Sequence, residues 1–198
     1  MGDSAQSLGA ILLAAGESSR LGRLKQLEKI DGIPLVTRQA RLLLRLQPAC
    51  VVVVTGAAEQ DVRAALQGLP VDCVREENWS QGMGRSLARG IASMPERVRG
   101  ALLLLCDQWR IEQADLQSLI DAWSAAPRKA VVSSWDDQRG PPAIFPRAMF
   151  QQLSRLQGDS GARQLLKRHR GGVQVVLVAN AAHDLDTPAD LERNLGSE

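Results

Sequence analysis

The chain of 198 residues contains no tyrosine, two phenylalanines and four tryptophans. So few aromatic rings make no stacking platform for single-stranded nucleic acid. A formal net charge of +2 gives no electrostatic footprint for nucleic acid or a membrane surface. Cysteine is scarce as well: Cys50, Cys73 and Cys106 are odd in number, lack CxxC spacing and lie in or beside apolar runs. They read as buried, reduced thiols, as expected of a cytoplasmic protein. His169 and His183 are too few and too isolated for a zinc site. No apolar run approaches the roughly 20 residues that span a bilayer, and Met1 to Ser7 lack the basic-then-apolar pattern of a secretory leader.

Several catalytic signatures are missing too. A P-loop ends in Gly-Lys followed by Ser or Thr, and no Gly-Lys pair occurs in the chain. The dinucleotide fingerprint G-x-G-x-x-G is absent from the first turn, where only Gly16 and Gly22 stand. No G-x-S-x-G elbow exists, and neither histidine has a local partner that would build a triad. Cys106 adjoins Asp107, whose carboxylate disfavours a thiolate.

What remains is an α/β pattern. The length suits one domain over residues 1–198 with a full core, and 44% hydrophobic and 23% charged residues fit a soluble globular chain. Apolar runs predict strands at Leu8–Ala14, Cys50–Thr55, Val71–Arg75, Ala101–Cys106, Ala130–Trp135 and Val173–Val178. Helical patterns alternate with them at Pro34–Leu46, Glu59–Leu66, Ser86–Met94, Glu112–Ala125, Gly161–His169 and Pro188–Leu195. The runs Val51–Val54 and Leu102–Leu105 are continuous, as expected of strands buried on both faces. Such alternation predicts a largely parallel sheet covered by helices. Gln138 to Pro142 reads as a turn or loop.

The most informative segment is Leu13-Ala14-Ala15-Gly16 through Arg20 and Gly22 to Lys25, directly after the first strand. Small residues let the backbone turn tightly against a ligand and aim several N–H groups at one anion. Arg20 supplies a bidentate fork and Lys25 a point charge, a pairing suited to a polyphosphate. Thr55-Gly56 and Asp107 also fall at strand ends, where ligands of doubly wound sheets lie. Asp107 is placed either to hold Mg²⁺ or to cap the next helix. The same two readings apply to Asp184-Leu185-Asp186-Thr187-Pro188, with Asp186 the candidate ligand. In Asn78-Trp79-Ser80-Gln81-Gly82-Met83-Gly84-Arg85-Ser86-Leu87, two glycines permit close approach to a base or ribose, and Ser86 is a candidate donor. Gly158-Asp159-Ser160-Gly161-Ala162-Arg163 opens a helix in which Asp159 is a candidate cap and Arg163 a candidate contact to an anion.

These four motifs, in this order, resemble the MobA-like nucleotidyltransferase family, and within it the molybdenum cofactor cytidylyltransferases. The resemblance runs from Leu12 to about Leu191. It implies a Rossmann-like three-layer α/β/α fold of the nucleotide-diphospho-sugar transferase type. It further implies Mg²⁺-dependent transfer of CMP from CTP to the terminal phosphate of molybdopterin cofactor, with a molybdenum hydroxylase as a possible client. Catalytic roles fall to Arg20, Lys25 and Asp107. The nucleotide would be bound by Leu13, Ala14, Ala15, Gly16, Arg20, Gly22, Lys25, Thr55, Gly82 and Ser86, and the metal by Asp107 with Asp186. Guanylyl-transferring relatives have two glycines where this chain has Ala15-Gly16, so Ala15 favours CTP. Two departures touch the acceptor side. Trp109-Arg110 follows Asp107-Gln108 where the family has proline, and Gly140-Pro141-Pro142 replaces Gly-His-Pro. Trp109, Asp159 and Arg163 are therefore the expected acceptor-binding residues, with Trp109 stacking on a flat pterin. A sugar or polyol phosphate acceptor, and a non-catalytic cofactor delivery protein, are the competing readings.

Overall fold

A computed structural model describes residues 7–17, 24–158, 161–169 and 172–185. The expected helix over Pro188–Leu195 lies outside the described residues. Strand β1 (Leu8–Ala14) is followed by a two-residue hairpin pair, β2 (Lys29–Ile30) and β3 (Ile33–Pro34), then α1 (Leu35–Arg45). Next come β4 (Cys50–Thr55), α2 (Glu59–Ala65), β5 (Asp72–Arg75), α3 (Met83–Ala92), β6 (Gly100–Leu105) and α4 (Gln113–Ala125). The chain continues through β7 (Ala130–Trp135), β8 (Gln138–Pro146), α5 (Phe150–Leu153), α6 (Gly161–Arg168) and β9 (Val173–Leu177).

Seven strands form one sheet in the order β5-β4-β1-β6-β8-β7-β9. All pairs are parallel except the two made by β8. Strand alternation sorts the apolar side chains to two faces. Leu8, Ala10, Leu12 and Ala14 join Val51, Val53, Leu102 and Leu104 in one core, covered by α1, α2 and α4. Ile11 and Leu13 join Val52, Val54, Ala101 and Leu103 in the other, covered by α3, α5 and α6. This is the three-layer α/β/α architecture expected, with both faces of the central strands buried. Among the described residues no helix is long and apolar enough to cross a membrane.

The structure corrects the reading of Gln138–Pro142 as a loop, because it opens β8, the antiparallel strand between β6 and β7. The ladder with β7 steps from Val132↔Ala143 to Ser133↔Gly140, so Pro141 and Pro142 fall in the register shift. Proline has no N–H to give a ladder, and a bulge is where a strand tolerates it. The Ser133 hydroxyl, fully buried, donates to the Pro142 carbonyl at 2.7 Å. Helix α3 starts three residues earlier than the pattern indicates, at Met83, which puts Gly84, Arg85 and Ser86 in its first turn.

Candidate active site

Strands β1 and β6 are neighbours, yet the chain leaves them in opposite directions, towards β4 and towards β8 and β7. A sheet of this kind opens a crevice at the carboxyl ends of two such strands. The first loop and Asp107 lie on its two sides. Leu13 pairs with Leu105, and its carbonyl accepts the Cys106 N–H at 3.0 Å, so the ladder ties the strand ends together. Ala14 and Ala15 are buried, and Gly16 after them is exposed.

Gln26, only 4% exposed, pins that loop. Its side-chain amide donates to the Ala14 carbonyl at 3.3 Å and to the Gly16 carbonyl at 2.5 Å. The same short 3₁₀ turn carries Lys25, whose Nζ stands 3.4 Å from Asp107 Oδ2. The two side chains are 15% and 29% exposed, so a half-screened cation and carboxylate face each other across the crevice. Asp107 is not the helix cap: Glu112 caps α4 in a reciprocal box with Asp115. The Asp107 carbonyl accepts the Leu185 N–H at 2.9 Å, which brings the Asp184–Leu185 segment beside it. Asp186 lies outside the described residues, as do Arg20, Gly22 and Asp159.

Mg²⁺ is commonly held by one or two carboxylates, with water and substrate phosphate completing its shell. A single part-exposed carboxylate at a strand end, with a second acidic segment docked on its backbone, fits that donor set. Among the described residues no cluster of three or more His, Cys, Asp or Glu forms an all-protein cage.

The other wall is built by the loop after β5. Gly56 lies against the Ala15 carbonyl and the Trp79 ring; a Cβ there would stand 2.7 Å from Trp79 Cγ. Thr55 is placed differently from expectation. Its side chain is fully buried and donates to the Val74 carbonyl at 3.3 Å, inside the sheet, so only its backbone borders the site. Ser86 is also buried, at 4% exposure, in the first turn of α3. Gly82 caps that helix, and the Gly84 N–H donates to the Gly158 carbonyl at 2.8 Å. The two glycine motifs, far apart in sequence, are thereby joined. Arg163 is exposed on the first turn of α6. Trp109 leans on the core, and Arg110 covers its ring, with the guanidinium carbon 4.7 Å from the ring centroid. The guanidinium therefore covers one face of the ring.

Burial pushes the Cys106 thiol well above its ordinary pKa; the Asp107 charge adds to this and Lys25 offsets part of it. A thiolate nucleophile has no support here.

Sequence patterns missed several buried polar groups. Glu76, 9% exposed, accepts the Asn78 N–H at 3.0 Å and the Arg85 Nε at 3.3 Å, tying the loop to α3. Gln39 and Gln108 flank the Asp107 turn from below. Only Gln39 carried a signal, as an amide among the inward positions of an amphipathic helix.

Comparison with known proteins accords with this geometry. The model for the MobA-like NTP transferase domain matches residues 10–173. The chain is 30% identical to the purine catabolism protein PucB of Bacillus subtilis, over 92% of this chain and 93% of that one. It is 27% identical to a probable molybdenum cofactor guanylyltransferase of Nostoc sp., over 93% and 89%. Among solved structures, Rv0371c of Mycobacterium tuberculosis superposes with a TM-score of 0.85 at 31% identity, over 98% and 99% of the two chains. A structure of Rv0371c in complex with manganese gives 0.79 at 28%, over 97% and 100%. With the family pattern spanning most of its length and the fold matching throughout, the chain belongs to the MobA-like NTP transferase family.

Proposed function

We propose that this nucleotidyltransferase moves CMP from CTP to the terminal phosphate of molybdopterin cofactor and releases pyrophosphate. The observation that carries the reading is the Lys25–Asp107 pair across the crevice between β1 and β6. It sets one cation and one carboxylate suited to a metal beside a glycine loop, and among the described residues no activated nucleophilic side chain accompanies them. That is what transfer between two phosphates asks for. An acceptor phosphate oxygen bonds to the α-phosphorus, the bond from that phosphorus to the bridging oxygen breaks, and the electron pair leaves on pyrophosphate. The acceptor is already an anionic nucleophile, so alignment and charge neutralisation do most of the work.

In this scheme the backbone at Gly16 and the Lys25 ammonium bind and orient the triphosphate, and Gln26 holds the loop that presents them. Asp107, with Asp186, would hold Mg²⁺, which as a Lewis acid stabilises charge on the phosphoryl oxygens. Arg20 adds a second cation to the triphosphate. The loop from Asn78 to Ser86 borders the base and ribose, held in shape by Glu76. Ala15 in place of a second glycine favours CTP over GTP, and the Nostoc relative's name supports a molybdenum cofactor as acceptor.

The deciding experiment follows pyrophosphate release with Mg²⁺ and molybdopterin cofactor, comparing CTP, GTP, ATP and UTP. Release with CTP alone is expected. Selective release with GTP would reassign the nucleotide, and release only with a sugar or polyol phosphate would reassign the acceptor. Cofactor binding without release from any nucleotide would leave delivery as the function.

On the acceptor side, the Arg110 guanidinium lies over the Trp109 ring, and a flat acceptor would displace it to stack there. Trp109→Ala is expected to raise the acceptor KM about tenfold, in line with about 1–3 kcal/mol for one aromatic stack on a base. The KM for CTP should not move. An unchanged acceptor KM would take Trp109 out of the acceptor site.

A further inference from the structure

We propose that Gln39 and Gln108 are positioning residues, a buried amide relay from α1 to β8 that fixes the turn carrying Asp107 and so holds its carboxylate ready for a divalent cation. This rests on the cation-binding part of the reading above, and not on the identity of nucleotide or acceptor.

Gln39 is fully buried on the face of α1 that carries Leu35, Val36, Ala40 and Leu43. Its Nε2 donates to the Gln108 carbonyl at 2.7 Å, while its Oε1 is buried without a partner among the described residues. An amide held this way keeps a desolvation penalty that an apolar side chain would avoid. Stability therefore gives no reason for glutamine at this position. The Gln108 carbonyl also accepts the Ile111 N–H at 3.3 Å, so it would keep a partner if Gln39 were removed.

Gln108, 2% exposed, curls back over its own turn. Its Oε1 accepts the Leu105 N–H at 3.3 Å, and its Nε2 donates to the Pro141 carbonyl at 2.8 Å. Pro141 lies in the β7–β8 register shift, outside the ladder pairs. The Asp107 carbonyl accepts the N–H groups of Trp109 at 2.8 Å and Leu185 at 2.9 Å, which fills both of its lone pairs. The backbone on each side of Asp107 is thus tied to α1, β6, β8 and the segment before residue 186. Its carboxylate faces Lys25. A charge fixed in advance needs no reorganisation when its counterion arrives.

The test uses Gln39→Met, which keeps the length and unbranched shape but deletes both polar atoms, and Gln108→Met as its counterpart. Mn²⁺ alone is the probe, titrated into the full-length protein by calorimetry or electron paramagnetic resonance. Gln39→Met is expected to melt no lower than the parent protein yet bind Mn²⁺ about tenfold more weakly, the range seen when ligand-orienting partners are lost. The Mg²⁺ concentration for half-maximal activity should rise by a similar factor while the CTP KM stays put. The double variant should lose no more affinity than Gln108→Met alone, because the two amides act in one chain. Parental Mn²⁺ affinity in Gln39→Met would overturn the proposal, and so would an affinity loss matched by a fall in melting temperature. Failure of the parent protein to bind Mn²⁺ would overturn the cation reading and this inference together. Normal Mn²⁺ behaviour without nucleotide turnover would remove only the transfer reading.

Discussion

Asp107→Asn is expected to lower kcat/KM for pyrophosphate release by about 10³-fold while leaving the fold intact. A bound metal ion stabilises transition-state charge by several kcal/mol, and about 4 kcal/mol corresponds to that factor. Asparagine keeps the shape of the side chain but not the charge that holds the ion. The fold should tolerate the change because asparagine keeps the backbone contacts of residue 107. Its carbonyl takes the N–H groups of Trp109 and Leu185, and the turn is closed by Gln108. The side chain contributes a part-exposed ion pair with Lys25 at 3.4 Å, and pairs of that kind are worth about 1 kcal/mol or less. Circular dichroism and a melting curve would report the fold, and a coupled pyrophosphate assay the turnover. Activity within about tenfold of the parent would take Asp107 out of the metal role. Loss of the melting transition would instead make it a structural residue.

The parts of this molecule that were legible in sequence share a physical origin. Strands β1, β4 and β7 run over the residues the apolar runs marked, because each is buried over most of its length. The crevice was legible for the same reason, since Gly16 and Asp107 each lie two residues past a strand end. Strand β8 was not. Its Gly140-Pro141-Pro142 has the composition of a turn, and its pairing depends on a bulge and on neighbours at both sides that no local pattern encodes. Thr55 shows a different failure. Its position at a strand end was right, but whether its hydroxyl turns to a ligand or to the Val74 carbonyl is decided by β5, which pairs from the far side. Gln26, Glu76 and Gln108 carried no signal in the sequence, and Gln39 only that of an amide on the inward side of an amphipathic helix. Each is a buried polar residue that bonds backbone groups: Gln26 those of Ala14 and Gly16, Gln39 that of Gln108, Glu76 that of Asn78, and Gln108 those of Leu105 and Pro141, while Glu76 also holds the Arg85 side chain. Satisfying such groups is a property of the assembled fold.

Gly84→Ala is the substitution expected to damage both stability and nucleotide binding, although it replaces glycine in a helix by the best helix former. Helix propensity alone favours alanine by about 0.5–1 kcal/mol. Against this, the added Cβ would overlap the Gly158 carbonyl oxygen, and both parties to the clash are bound to backbone. No rotamer change relieves it. The first turn of α3 and the loop before α6 must separate, which lengthens or breaks the 2.8 Å hydrogen bond from the Gly84 N–H to that carbonyl. Overpacking of this sort costs about 1–3 kcal/mol and the lost bond about 1 more. The clash therefore outweighs the propensity gain, with a net loss of about 1–3 kcal/mol. For a chain of this size that is a fall in melting temperature of about 3–10 °C. Function should suffer beyond the stability loss, because the contact joins the Gly82–Ser86 turn to the segment that leads into Arg163. A displacement of about 1 Å at a positioned site can lower turnover by up to about 10²-fold, so the KM for CTP should rise well below the melting temperature. Parental melting and an unchanged CTP KM in Gly84→Ala would mean that the two glycine motifs are not held together by this contact. A lowered melting temperature with an unchanged KM would confine the contact to stability and move the base away from the start of α3.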